Sequence, residues 1–146
     1  MTLEELEKRI RVLEDIEEIK QLHRKYTYAL GSQQWDDMLD CFTEDATADI
    51  WRWGLRKGKA EIADLFKNVF NGRIQPTHGH LVSQPVISVD GDRAKGYWLL
   101  YLHFAEPSVS WIQGRHDCEY VMVDGKWKIS SLKFTRPWPV VPEKPA

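Results

Sequence analysis

Apolar periodicity differs between the two halves of this chain, and that difference limits the fold more than any motif does. Up to Phe70 the apolar residues recur mostly at helical spacing, interrupted by one strand; from His78 they alternate, with turns at Asp90-Gly91 and Asp124-Gly125 dividing the alternation. Leu3, Leu6, Ile10, Leu13, Ile16, Ile19, Leu22, Tyr26 and Leu30 make one long stripe, opened by a Thr2/Glu5 capping box and stopped at Gly31. Residues 1–14 are free to project as a helical arm, with a break expected near Asp15. A short helix is predicted over 33–41, a strand over 46–53 carrying Trp51 and Trp53 on one face, a turn over 54–58 and a helix over 59–70. Strands follow at 78–89, 93–104, 111–123 and 126–136. Helices first and an antiparallel meander after them make an α+β domain over residues 1–136, its helices packed on one face of a strongly curved, mostly antiparallel sheet. Such a sheet closes into a cone with one open mouth, a natural small-molecule site. The tail, 137–146, has four prolines and is expected to be an extended strap.

The 146 residues carry a net charge of −2 with scattered basic groups, which offers nucleic acid no electrostatic footprint. No apolar run reaches membrane-spanning length, and the acidic, amphipathic first residues do not read as a signal peptide. Cys41 and Cys118 match no metal-ligand spacing and are expected as buried, reduced thiols, which suits a cytoplasmic protein. Seven tryptophans suit a pocket for a flat apolar ligand, or a well-sealed core.

Chemistry concentrates in the histidines. His78 and His80 stand two residues apart at a strand start and so project to one face, and imidazole titrates where proton transfer at neutral pH needs it. On strand 111–123 the less charged set, Ile112, Gly114, His116, Cys118, Tyr120 and Met122, is expected to face inward, placing His116 in the cavity. His103 lies on a strand apolar on both faces. A metal held by several of these histidines is geometrically open, but no carboxylate is in register, so neither metal nor cofactor is expected. Arg52, Arg56, Lys57 and Lys59 form a modest basic spot that suits an acidic tail on a substrate or plain solvated surface.

Several segments together resemble the SnoaL-like branch of the nuclear-transport-factor-2-like superfamily. They are residues 15–22 with Lys25-Tyr26, Gln34-Trp35-Asp36, residues 42–46, Gly58 with Ile62, residues 80–92, and Gly114-Arg115 through Tyr120 with Asp124-Gly125, Trp127 and Ile129. The helix from Glu4 through Tyr26 and on to Trp35-Asp36 is most similar to bile acid 7α-dehydratase-like proteins. The resemblance implies the cone fold, no cofactor, and a cytoplasmic homodimer or homotrimer. It also implies a histidine base on the first long strand, here His80 by alignment on Pro85, with Tyr26 as a hydroxyl donor into the cavity. The aspartate that orients this base in the family falls at Gly31. Asp36, Asp37 or Asp117 then has to substitute, or the histidines act without a carboxylate, or the protein only binds.

The resulting expectation is a cofactor-independent lyase of dehydratase or dehydrohalogenase type, acting on a cyclic steroid-like or aromatic molecule. Its catalytic residues would be His80, Tyr26, His78 and His116, and its substrate-binding residues Trp51, Trp53, Trp98, His103 and Trp111. The alternatives are a non-catalytic binding module of the same fold and an isomerase or polyketide cyclase.

Overall fold

The computed structural model describes residues 1–75 and 78–138. Helix α1 runs unbroken from Leu3 to Gly31. Thr2 Oγ1 accepts from the Glu5 backbone N–H, and the Glu5 carboxylate accepts from that of Thr2, which completes the capping box. No break occurs at Asp15; that is where the helix enters the body. The Asp15 carboxylate accepts from Trp127 Nε1 at 3.1 Å, and from there Ile19, His23, Tyr26 and Leu30 are buried. The residues before it stand clear, with Leu3 73% and Leu13 66% exposed.

Helix α2 (Trp35–Asp40) leads into β1 (Phe42–Ile50), β2 (Leu55–Lys57) and α3 (Lys59–Asp64), followed by β3 (Gly79–Asp90), β4 (Arg93–Phe104), β5 (Ser110–Val123) and β6 (Lys126–Thr135). The strands form one sheet in the order β2-β1-β6-β5-β4-β3. All neighbours are antiparallel except β1 and β6. In the β5–β6 hairpin Asp124 and Gly125 both take positive φ (51° and 77°), the backbone that a two-residue turn matching the strand twist requires.

Four local departures from the sequence expectation stand out. Strand β1 starts at Phe42, before Ala46, because Phe42 pairs with Ile129 of β6 and the Ile129 N–H donates to the Cys41 carbonyl at 2.7 Å. Trp51–Trp53 leave the strand as a 3₁₀ turn, with Trp51 at φ +40°. The turn expected over 54–58 is short strand β2 on the sheet edge, and the helix from Lys59 relaxes into a π-type turn over Leu65–Phe70.

The sheet curls where β3 breaks register between Ser83 and Val86, with Gln84 at φ +52° before Pro85. Proline has no N–H for a ladder, and β3 is an edge strand, so a bulge there accommodates it. The concave face receives α1 through α3, and the core gathers Ile19, Met38, Phe42, Ile62, Leu65, Ile129 and Leu132. Cys41 and Cys118 are both buried and free; burial raises their thiols to about 11 and about 12. No helix among the described residues is long and apolar enough to cross a membrane. The proline-rich tail from residue 139 lies outside the described residues.

Candidate functional site

A cavity of about 310 Å³ opens between the concave sheet, the end of α1 and the π-type turn. Its walls are Tyr26 and Leu30 from α1, Phe66 and Phe70 from the turn, and Leu100, Leu102, Phe104, Ile112, His116 and Phe134 from inward positions of β4, β5 and β6. Gly114 leaves the floor open: a Cβ there would run into the Phe134 ring, so only glycine lets that ring lie across β5. The lining is apolar apart from a few polar heads, the usual build of a small-molecule pocket.

His78, His80 and His116 all reach this cavity, as does Tyr26. Burial lowers His80 to about 4, with the neighbouring His78 adding to the effect. Burial likewise lowers His116 to about 4, His80 contributing next. Both imidazoles are therefore neutral at physiological pH, as a proton acceptor must be. Burial pushes the Tyr26 hydroxyl well above its ordinary value, so it stays a donor. His78 lies edge-on to Phe104 and its Nδ1 accepts from the Gln75 backbone N–H at 3.3 Å.

The Nδ1 of His80 is buried and has no hydrogen-bond partner among the described residues. It points toward the end of α1, where a Cβ built on Gly31 would stand 3.9 Å away. None of the three candidate carboxylates replaces the missing partner. Asp36 pairs with Lys67 at 2.9 Å on the surface, and Asp117 holds Arg115 through Nε and Nη2 on the outer face of β5. Asp37 is exposed in the first turn of α2.

The fifth histidine, His23, has no place in the sequence reading, yet it is fully buried behind His116. His23 Nε2 lies 3.1 Å from His116 Nδ1, and His23 Nδ1 lies 3.0 Å from Tyr120 Oη. The indole N–H of Trp98 donates to the same Oη at 3.0 Å, and the Trp98 ring stacks on His23 at 4.4 Å between centroids and 9° between planes. One sequence signal pointed inward: His23 lies between Ile19 and Tyr26 at helical spacings of four and three.

The expected ligand-contact residues divide. Trp51 and Trp53 line the cavity from their 3₁₀ turn. Trp98 does not line it; the ring is spent on His23 and Tyr120. His103 and Trp111 pair across β4 and β5 on the outer face, His103 stacked with Tyr101, because odd-numbered positions of β4 point away from the cone. The expected basic spot is also dispersed: Arg56 donates to the Trp53 carbonyl and Lys59 pairs with Glu44 at 3.2 Å. The cationic groups that do border the cavity are Arg73, 5.0 Å over Trp53, and Arg136, 5.0 Å over Trp51. Among the described residues no three His, Cys, Asp or Glu side chains are grouped to hold a metal.

Residues 11–133 match the SnoaL-like domain family. The chain belongs to that family. Among solved structures it is similar to an NTF2-like protein with a cystatin-like fold from Novosphingobium aromaticivorans (TM-score 0.82, 20% identity, covering 91% of this chain and 88% of that one). It is also similar to the hexachlorocyclohexane dehydrochlorinase LinA-type3 from Novosphingobium barchaimii (0.79, 21%, 89% and 91%). A putative scytalone dehydratase from Novosphingobium aromaticivorans is a third neighbour (0.75, 18%, 84% and 83%). At these identities the likeness concerns the fold. No curated protein matches the chain. The same fold is found in a dehydrochlorinase and a putative dehydratase, so what this member does has to be read from its own residues.

Proposed function

We propose that this SnoaL-like protein is a cofactor-independent lyase that removes water or halide from a cyclic, steroid-like or aromatic small molecule. The observation that carries the reading is the pairing of His80 and His116, two imidazoles held neutral by burial, in one apolar cavity with the Tyr26 hydroxyl. A neutral imidazole takes the proton beside a carbonyl while the leaving group departs from the adjacent carbon, and a phenol donor stabilises the oxyanion that develops. Trp51 and Trp53 offer stacking surface for rings. Arg73 and Arg136 suit an anionic substituent at the rim.

The resemblance of α1 to bile acid 7α-dehydratase-like proteins supports cyclic hydroxy-ketones as the first substrates to try. Incubation followed by mass spectrometry should give loss of water, abolished by replacing both His80 and His116 with Ala in protein that remains folded. An isomeric product of unchanged mass would point to isomerase or cyclase chemistry instead. The unpartnered Nδ1 of His80 favours a second reading, a non-catalytic binding module; saturable binding without product on long incubation would establish it. The exposed apolar outer face, with Leu81, Val86, Tyr97 and Trp111, supports assembly as a homodimer or homotrimer.

A further inference from the structure

The geometry points to His116, rather than His80, as the proton acceptor of this cavity, with His23, Trp98 and Tyr120 taking the place of the absent orienting carboxylate. This assignment rests on the elimination chemistry proposed above and distributes the roles within it.

Hydrogen-bond bookkeeping separates the two histidines. Among the described residues nothing receives or supplies a proton at the buried His80 Nδ1, so no contact there selects its tautomer, and an imidazolium formed there would bury an N–H without a partner among them. His116 has its Nδ1 3.1 Å from His23 Nε2, a contact that holds the ring whichever nitrogen carries the proton. Indole N–H groups only donate, so Tyr120 Oη must accept from Trp98. The Oη has a second lone pair and one proton, and two arrangements keep both hydrogen bonds of His23. In the first, Tyr120 donates to His23 Nδ1, His23 Nε2–H donates to His116 Nδ1, and His116 presents an N–H to the cavity. In the second, His116 Nδ1–H donates to His23 Nε2, His23 Nδ1–H donates to Tyr120 Oη, and the Tyr120 proton turns away from His23, on the side of Cys118 two residues earlier on the same inward face of β5. His116 then presents an Nε2 lone pair to the cavity.

The second arrangement is a base. The Nε2 lone pair takes the substrate C–H proton, the C–H electrons become the new double bond, and the leaving group departs with its own electron pair. The positive charge left on His116 is shared across the 3.1 Å bond with His23, and the His23 ring lies flat on the Trp98 indole, where a cation is stabilised by the π face. A carboxylate beside a histidine base fixes the tautomer and stabilises the imidazolium; here a second imidazole does the first and an indole contributes to the second. His23, Trp98 and Tyr120 are positioning residues, since none of them lines the cavity.

The test uses 5-nitrobenzisoxazole, a flat aromatic whose C–H is removed as its N–O bond breaks to give a coloured phenolate, with no cofactor required. His116→Ala and His116→Gln should each lower kcat roughly 100-fold. His80→Ala removes part of the cavity wall but not the base, so it should lower turnover by about tenfold at most, an order of magnitude less than His116→Ala. His23→Leu should lower kcat with KM unchanged, and His23→Gln, whose amide oxygen accepts the Nδ1 proton, should restore most of it. Two-bond ¹H–¹⁵N spectra at neutral pH should show His116 protonated on Nδ1 and bare on Nε2 in the wild type. Loss of turnover in His80→Ala with His116→Ala unaffected, or a His116 ring protonated only on Nε2, would overturn the assignment and leave the lyase reading standing. A wild type no faster than free imidazole would overturn both.

Discussion

Gly31 and His80 face each other across a gap that one carboxylate would fill: a Cβ on Gly31 would lie 3.9 Å from the unpartnered His80 Nδ1, ordinary van der Waals distance. Gly31→Asp should therefore be accepted without a clash and bring a carboxylate within reach of that nitrogen. The carboxylate would raise His80 from about 4 by more than a unit, read by NMR titration of its ring protons. The added negative charge at a helix C-terminus should cost about 0.3–1 kcal/mol. An unmoved His80 titration would mean the two residues do not meet.

Acid should unfold this protein through its buried histidines. His23, His80 and His116 all have native pKa values below the ordinary imidazole value, His80 and His116 at about 4 and all three because of burial first. The unfolded chain therefore binds more protons than the native one in that interval, and stability rises with pH across it. It is fully present above about pH 6.5 and is lost as pH falls through the native values near 4. Urea melts between pH 7 and pH 4 should show a fall of several kcal/mol, of which His116→Gln, having no such group, should lack roughly 2–3 kcal/mol.

Gly114→Ala tests the cavity floor. The added methyl runs into the Phe134 ring, which must move into the cavity or force β5 outward. A loss of about 1–3 kcal/mol and weaker binding of any apolar probe are expected, against a smaller loss, under about 1 kcal/mol, for Gly125→Asn, where the space is open and asparagine tolerates the φ of +77°. Equal thermal melts for wild type and Gly114→Ala would contradict the packing described.

The arm contributes little to the protomer itself. Leu3, Leu6, Ile10 and Leu13 are all at least 45% exposed, so removing residues 1–12 should shift Tm by no more than about 2 °C when measured on dilute, monomeric protein. A larger shift that appears only at high protein concentration would show that the arm is buried between copies.

Much of the architecture was legible because local signals agreed with the tertiary outcome. The Thr2/Glu5 capping box, the Asp124-Gly125 hairpin and the alternation along β5 each follow from chemistry within a few residues, and helix and strand bounds fall close to their predicted places. The parallel pairing of β1 with β6 was not legible, since it joins segments some 80 residues apart with no turn between them. Nor was the facing of β4, whose two sides are both apolar; its register with β5, which sets Leu100 opposite Gly114 and Leu102 opposite Ile112, turns Leu100, Leu102 and Phe104 into the cone while His103 looks out.

The candidate site divides in the same way. Strand alternation turned His116 inward, and the family resemblance singled out His80, the tyrosine on the helix and the glycine where a carboxylate is expected. The partner of His116 was beyond both. Helical spacing from Ile19 and Tyr26 turns His23 inward but names no partner, and His23 meets His116, Tyr120 and Trp98 only because α1 packs into the concave sheet. Sequence periodicity sets which face of an element is apolar, whereas the hydrogen-bond partner of a buried polar group depends on which distant elements come together, and packing alone decides that.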